Sequence, residues 1–319
     1  MNKIIKTSLA ACSLLFSSGI MAQTETVAPI AYGDMNSWMV REINESAVIG
    51  GDTKYLYSIV KGDTLRDNTP YKHGKSPWAT SSVLAKVKGV TKGSVTVFPE
   101  RRGDGFCARL ETRIEECKVL GLINIKVLAS GTIFLGEMVE PITSTSNPQS
   151  KLVTGVPFTK RPKALQYDYK VITGGTCIKA TGFGKQQKLD RKDMAEVQIL
   201  LQHRWEDEKG NVYAKRVATG WERFDKPVTE WQNAHRLSLN YGDISSQSYY
   251  RSYMGLKTGE QAYYTRNSKG KMVPIQETGW ADADESVTHM ILQFSSSNGG
   301  AYTGNTNSRL WIDNVKLVY

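Results

Sequence analysis

The chain has 319 residues, 40% hydrophobic, 23% charged and 9% aromatic, which excludes a disordered segment and a membrane bundle and describes a globular protein. With 28 glycines, 10 prolines and no fixed short period, it is neither collagen-like nor a solenoid. The formal charge of +10 is basic. Its clusters, Arg101-Arg102, Lys160 to Lys163 and Lys185 to Lys192, are short and mixed with acids such as Asp104, Asp190 and Asp193, so a solvated basic surface is expected and nucleic acid is not.

Residues 1–22 read as a secretory signal: Lys3 and Lys6, then the apolar run Leu9 to Ala22, ending before Gln23. Its removal takes two lysines and leaves 23–319 with a charge of +8, exported to the periplasm, cell surface or medium. Leu9-Ala10-Ala11-Cys12 also fits a lipobox, but the run continues past Cys12 through Leu14, Leu15 and Phe16, where a lipobox cysteine normally ends it. No later stretch approaches the roughly 18 apolar residues of a spanning helix, so no membrane span is expected.

Beyond residue 22 strands dominate. Ser94 to Phe98 is a candidate. Phe106 to Ile114 alternates, with Phe106, Ala108, Leu110 and Ile114 on one face and Arg109, Glu111 and Arg113 on the other. Ile125 to Leu128 and Gly131 to Glu137 follow. Leu165 to Val171 sets Gln166, Asp168 and Lys170 opposite an aromatic face, and Val197 to Arg204, Thr288 to Phe294 and Leu310 to Tyr319 repeat the pattern. Turns such as Gly103-Asp104-Gly105, Lys209-Gly210-Asn211 and Asn298-Gly299-Gly300 separate them. Asp190 to Gln202 is the long stretch without Gly or Pro, and its core suits a strand better than a helix. Residues 205–285 are polar and turn-rich and read as long hairpin excursions. No clean linker interrupts the series. The expectation is an all-β protein: an antiparallel β-sandwich of jelly-roll type, a single large domain, and a monomer.

After signal removal three thiols remain: Cys107, Cys117 and Cys177. Cys107 and Cys117 can close a short bridged loop in an oxidising compartment, or all three are small core residues. His73, His203, His235 and His289 lack the spacing of a zinc site.

Gly131-Thr132-Ile133-Phe134-Leu135-Gly136, the block Gly155-Val156-Pro157-Phe158-Thr159-Lys160-Arg161-Pro162 running on to Tyr169-Lys170, and the terminal Ser295 to Gly300 with Ser308-Arg309-Leu310-Trp311-Ile312-Asp313-Asn314-Val315 carry a resemblance. In sequence and in order they resemble the putative carbohydrate metabolism domain family of Bacteroidetes, from about Asn36 to the C-terminus. The resemblance implies a jelly roll like those of carbohydrate-binding modules and some glycoside hydrolases. It implies no particular reaction, and residues 205–285 match least. Trp311-Ile312-Asp313-Asn314-Val315 is also similar to the terminal strand of several carbohydrate-binding jelly rolls, whose aspartate helps hold a structural calcium. That makes Asp313 the metal candidate, and no other cofactor is expected.

A saccharide site needs a flat aromatic surface for sugar C–H faces and planar hydrogen-bonding groups for the hydroxyl rim, which the outward face of a concave sheet can supply. The candidate stripes are Arg109, Glu111 and Arg113; Gln166, Asp168 and Lys170; Gln198, Gln202 and Arg204; and His289 with Gln293. Trp78 and Trp231, in polar loop-like surroundings, are the candidates for stacking. Three functions fit: an exported protein binding an oligo- or polysaccharide without turnover; a glycoside hydrolase with Glu111 and Asp168 as its carboxyl pair; and a cell-surface or adhesion component with a protein partner. Without a GxSxG element, Ser-His-Asp catalysis has no support.

Overall fold

The computed structural model describes residues 25–119, 123–182 and 184–319; the signal-peptide and Cys12 readings fall outside them. The chain is all-β, and the helical segments among the described residues are short 3-10 turns such as Pro148–Lys151. The strands that carry the architecture are β1 (Val97–Arg102), β2 (Gly105–Glu111), β3 (Arg113–Val119), β4 (Ile123–Ala129), β5 (Thr132–Met138), β6 (Ala164–Ile172), β7 (Ala195–Glu206), β8 (Val212–Phe224), β9 (Val228–Ser238), β10 (Met272–Trp280), β11 (His289–Ser295) and β12 (Arg309–Val318).

These strands form a sandwich. One layer has the order β9-β6-β12-β2-β1, the other β5-β11-β7-β8-β10. Neighbours are antiparallel except β8 and β10, which run parallel. The chain passes between the layers repeatedly, so neither layer is built from one continuous stretch of sequence. Alternation explains the pairing of faces. Leu165, Tyr167 and Val171 of β6 and Leu310 and Ile312 of β12 point inward against Val197, Ile199 and Leu201 of β7 and Leu292 and Phe294 of β11, all fully buried. Each such side chain contributes about 1.5–3 kcal/mol relative to exposure, and this seam is the main core. The outward residues of β6, β2 and β7 are those that their alternation assigns.

Residues 205–285 divide differently from the expectation. β8, β9 and β10 are members of the two layers, and only about 242–271 is an excursion. β8 hid its nature because most of it is buried on both sides. Its inner face meets the main core, while the excursion packs over its outer face and closes a second apolar cluster of Leu200, Trp221, Ile244, Met254, Tyr263 and Ile275. Arg216 and Glu277 pair inside that cover with side chains wholly inaccessible, Arg216 Nε donating to Glu277 Oε1 at 2.6 Å. The excursion covers β8, β10 and the Leu200 and Ile291 ends of β7 and β11, and leaves a cleft over the Glu196–Gln198 end of β7 with Gln293 and Ser295 of β11 and Thr132 and Phe134 of β5.

The terminal serine-rich block has a structural job. Asp193, fully buried, accepts hydrogen bonds from Ser297 Oγ at 2.5 Å, Ser308 Oγ at 2.6 Å and the Asn305 amide at 2.8 Å, while Ser296 Oγ accepts from the Gly131 amide at 3.0 Å. The block thereby ties the 295–308 connection to the sheets. Gly136 (φ 146°) is required because a Cβ there would collide with the Val153 carbonyl. The Cys107–Cys117 bridge is not formed. All three described thiols are free, and Cys107 Sγ instead donates to the Glu100 carbonyl at 3.5 Å.

Candidate functional site

The outer face of the first layer carries both carboxylates of the expected catalytic pair, but it does not bring them together. Asp168 lies opposite Asp313 of β12, whereas Glu111 lies opposite Arg309, four residues further along the same strand. Two strand spacings across and four residues along put their Cα atoms about 16 Å apart, beyond the roughly 5–9.5 Å that glycoside hydrolysis uses. Each is also committed elsewhere. Glu111 is ringed by three arginines: Arg109, Arg309 at 3.2 Å and Arg113 at 3.8 Å. Asp168 accepts from the Ala234 amide at 2.7 Å, Asn314 Nδ2 at 2.8 Å and Arg102 Nη1 at 2.8 Å. Burial alone would raise its carboxyl, but these donors hold it below the usual range.

The remaining candidates sort by accessibility. Trp78 is 1% exposed, packs against Phe294 and donates Nε1–H to the Ala31 carbonyl at 2.9 Å, so it is a core residue with no face for a sugar. Its loop-like neighbours Ser76-Pro77 gave the opposite impression. Gln202 is fully buried, with Nε2 on Glu277 Oε1 at 2.5 Å and Oε1 receiving Arg204 Nε at 2.7 Å. It belongs to the polar knot under the excursion and not to a surface. His289 lies across from it; burial, then Arg204, pushes its imidazole down to about 4. Trp231 and Gln166 do face outward on the first layer. The Trp231 ring is capped by Arg102 at 3.8 Å, and Gln166 sits in register between Lys316 and Arg236. Arg109 lies over Phe98 at 4.5 Å and pairs with Glu100 at 2.9 Å. Asp313 does not fit a calcium site: Arg102 Nη1 binds its carboxylate at 2.6 Å, and no group of three or more His, Cys, Asp or Glu among the described residues converges as metal ligands do.

The concavity lies on the other layer. A cleft of about 990 Å3 opens on the outer face of the larger sheet, at the upper end of what small-ligand sites enclose. Register places two rows of side chains across its floor. One runs Trp221, Gln198, Gln293, Phe134 over β8, β7, β11 and β5; the next runs Arg223, Glu196, Ser295, Thr132. The rows span three strand spacings, about 14 Å. Gln198 Nε2 donates to Gln293 Oε1 at 3.2 Å, and Tyr263 O–H donates to Gln198 Oε1 at 2.8 Å. Glu196 Oε2 accepts from Arg223 Nε at 2.9 Å and Trp221 Nε1 at 3.3 Å. Burial outweighs both donors and pushes its carboxyl above the usual range.

The walls come from distant sequence. The β3–β4 hairpin and the strands Val83–Val87 and Val90–Ser94 form one side. Tyr302, whose O–H donates to the Thr145 carbonyl at 2.6 Å, and Tyr253 of the excursion stand on others. Of the sequence candidates, Gln198 and Gln293 line the cleft. Glu196, Trp221, Arg223, Tyr253 and Lys257 were missed. Extending the β7 alternation back to Ala195 would have caught Glu196, which shares an outward face with Gln198. The others sit in the stretch read as excursion.

The family match decides the affiliation: the model for the putative carbohydrate metabolism domain covers residues 52–318. The chain belongs to that family. This gives the putative carbohydrate metabolism domain described above a carbohydrate-related role. No curated protein matches the chain. It is similar to the crystal structure of a putative glycoside hydrolase from Bacteroides thetaiotaomicron, at 18% identity and a TM-score of 0.48, over 88% of this chain and 70% of that one. A putative glycoside hydrolase from Bacteroides vulgatus is similar at 15% identity and a TM-score of 0.40, over 92% of this chain and 95% of that one. Among the described residues no helix is long and apolar enough to cross a membrane.

Proposed function

We propose that this protein binds an oligosaccharide in the cleft on the outer face of the larger sheet. The observation that carries the reading is the Gln198–Gln293 pair at the centre of an open floor about 14 Å wide. The Gln293 amide, braced by buried Gln198, can donate to and accept from a hydroxyl rim, and the wall tyrosine Tyr302 offers a ring face to sugar C–H groups. Family membership supports a carbohydrate ligand over other small molecules. Export is part of the proposal and rests on Lys3, Lys6 and the apolar run Leu9 to Ala22.

A second reading, glycoside hydrolysis, is favoured by Glu196. A buried carboxyl held above its usual range on a cleft floor is the form a general acid takes, and it replaces Glu111 and Asp168 as the residue to test. One experiment separates the readings. The protein is screened on a glycan array, and its best ligand is titrated against native, Gln293→Ala and Glu196→Gln proteins while reducing ends are assayed. Binding predicts a loss of about tenfold in affinity for Gln293→Ala and no turnover by any form. Hydrolysis predicts turnover that Glu196→Gln abolishes while binding survives. A blank array would overturn both and point to a protein partner.

A further inference from the structure

One end of the cleft holds more positive charge than a neutral sugar calls for. Arg223 is a fixed fork. Its guanidinium lies 3.9 Å from the Tyr253 ring centroid, and its Nε is locked on Glu196 at 2.9 Å. Among the described residues its Nη groups meet no protein acceptor, and its side chain is 21% exposed. Beside it, half-buried Lys257 donates Nζ–H to the Tyr253 carbonyl at 2.9 Å and stands 4.9 Å from the Trp221 ring centroid. Lys257 forms no ion pair with a carboxylate among the described residues. Burial pushes its ammonium below the ordinary lysine range, and the charges of Arg216 and Arg223 add to that shift. The nearest cleft acid, Glu196, is itself pushed toward its neutral form. Among the described residues Glu196 is the single carboxylate hydrogen-bonded to either side chain, so two crowded cations share one acid partner at this end of the cleft.

A planar fork with both Nη groups free suits a bidentate oxyanion, and an adjacent ammonium adds a point charge to the same ligand. We infer that Arg223 and Lys257 form a subsite for the carboxylate or sulfate group of an acidic saccharide. The inference rests on the reading of the cleft as a saccharide site and names the class of sugar that enters it. The Gln198–Gln293 floor recognises the neighbouring ring, and the cations select the charged one.

The test uses the whole native protein and calorimetric titration with an oligogalacturonate, its fully methyl-esterified form, a chondroitin sulfate oligosaccharide and inorganic sulfate. The ester keeps every ring and hydroxyl and removes only the charge. The expected result is that the galacturonate or the chondroitin sulfate binds about tenfold or more tightly than the ester, with an affinity that falls as salt rises. Lys257→Gln should erase that preference and Lys257→Arg should restore it. Binding of the oligogalacturonate assigns a carboxylate; chondroitin sulfate also carries glucuronate carboxylates, so where it alone binds, loss of binding by its desulfated form assigns the sulfate. An ester that binds as tightly as both anionic saccharides overturns the inference and leaves the saccharide reading standing. Inorganic sulfate binding as tightly as the saccharides also overturns it, since the subsite would then recognise an anion without a sugar. Failure of every saccharide, charged or neutral, sinks the reading of the cleft and this inference with it.

Discussion

His73 and His289 are two imidazoles that the fold keeps neutral. Burial, then the Arg41 charge, pushes His73 down to about 4, and burial, then Arg204, does the same for His289. Both folded values lie below the ordinary 6.5, so between these limits the unfolded chain binds more protons than the native one. Stability is therefore present above about 6.5 and is lost as pH falls toward about 4. The urea midpoint should decline across that window, and a His73→Gln, His289→Gln double variant should show a shallower decline. An identical pH slope in both proteins would contradict this account. At the same scale, alternation correctly gave the outward face to Glu111, Asp168 and Gln198. It could not say whether an outward residue meets water, an arginine or a cover of later sequence. Trp78 shows the limit from the other side, since a polar local context carried no information about the Ala31 carbonyl and Phe294 ring that enclose it.

At the scale of elements, strands with one face on the core and one on water were legible, because side-chain period and burial coincide there. β2, β6 and β12 are of this kind. β8 was not legible: the excursion covers its outer face and removes the polar half of the pattern, and even its charged Arg216 lies inside. The Arg216–Glu277 pair is what fastens that cover. Glu277 also accepts from Gln202 Nε2 at 2.5 Å and from the Lys257 amide at 2.6 Å, so one carboxylate joins β7, β8, β10 and the cleft wall. Glu277→Ala would strand the Arg216 charge and should cost about 3–5 kcal/mol in urea denaturation. Amide protection across residues 252–263 should fall first. A double Arg216→Met, Glu277→Leu variant should recover most of the loss. If Glu277→Ala proved neutral, or the cover kept its protection, the fastening role would be wrong.

At the scale of the whole molecule, the sandwich has two outer faces, and its function depends on which one is hollow. Local pattern could not choose between them. The walls of the cleft come from residues 83–94, 115–117, 125–129, 252–263 and 298–302, and only the folded chain brings them together. The first layer instead spends its outward charges on one another, through Arg102 with Asp168 and Asp313 and the three arginines around Glu111. The most direct test is a crystal structure of the protein soaked with the oligosaccharide that binds best in solution. Sugar density should lie across Gln198 and Gln293, with a ring beside Glu196 and Arg223. Density on the face of Asp168, Trp231 and Glu111, with the cleft empty, would contradict the account.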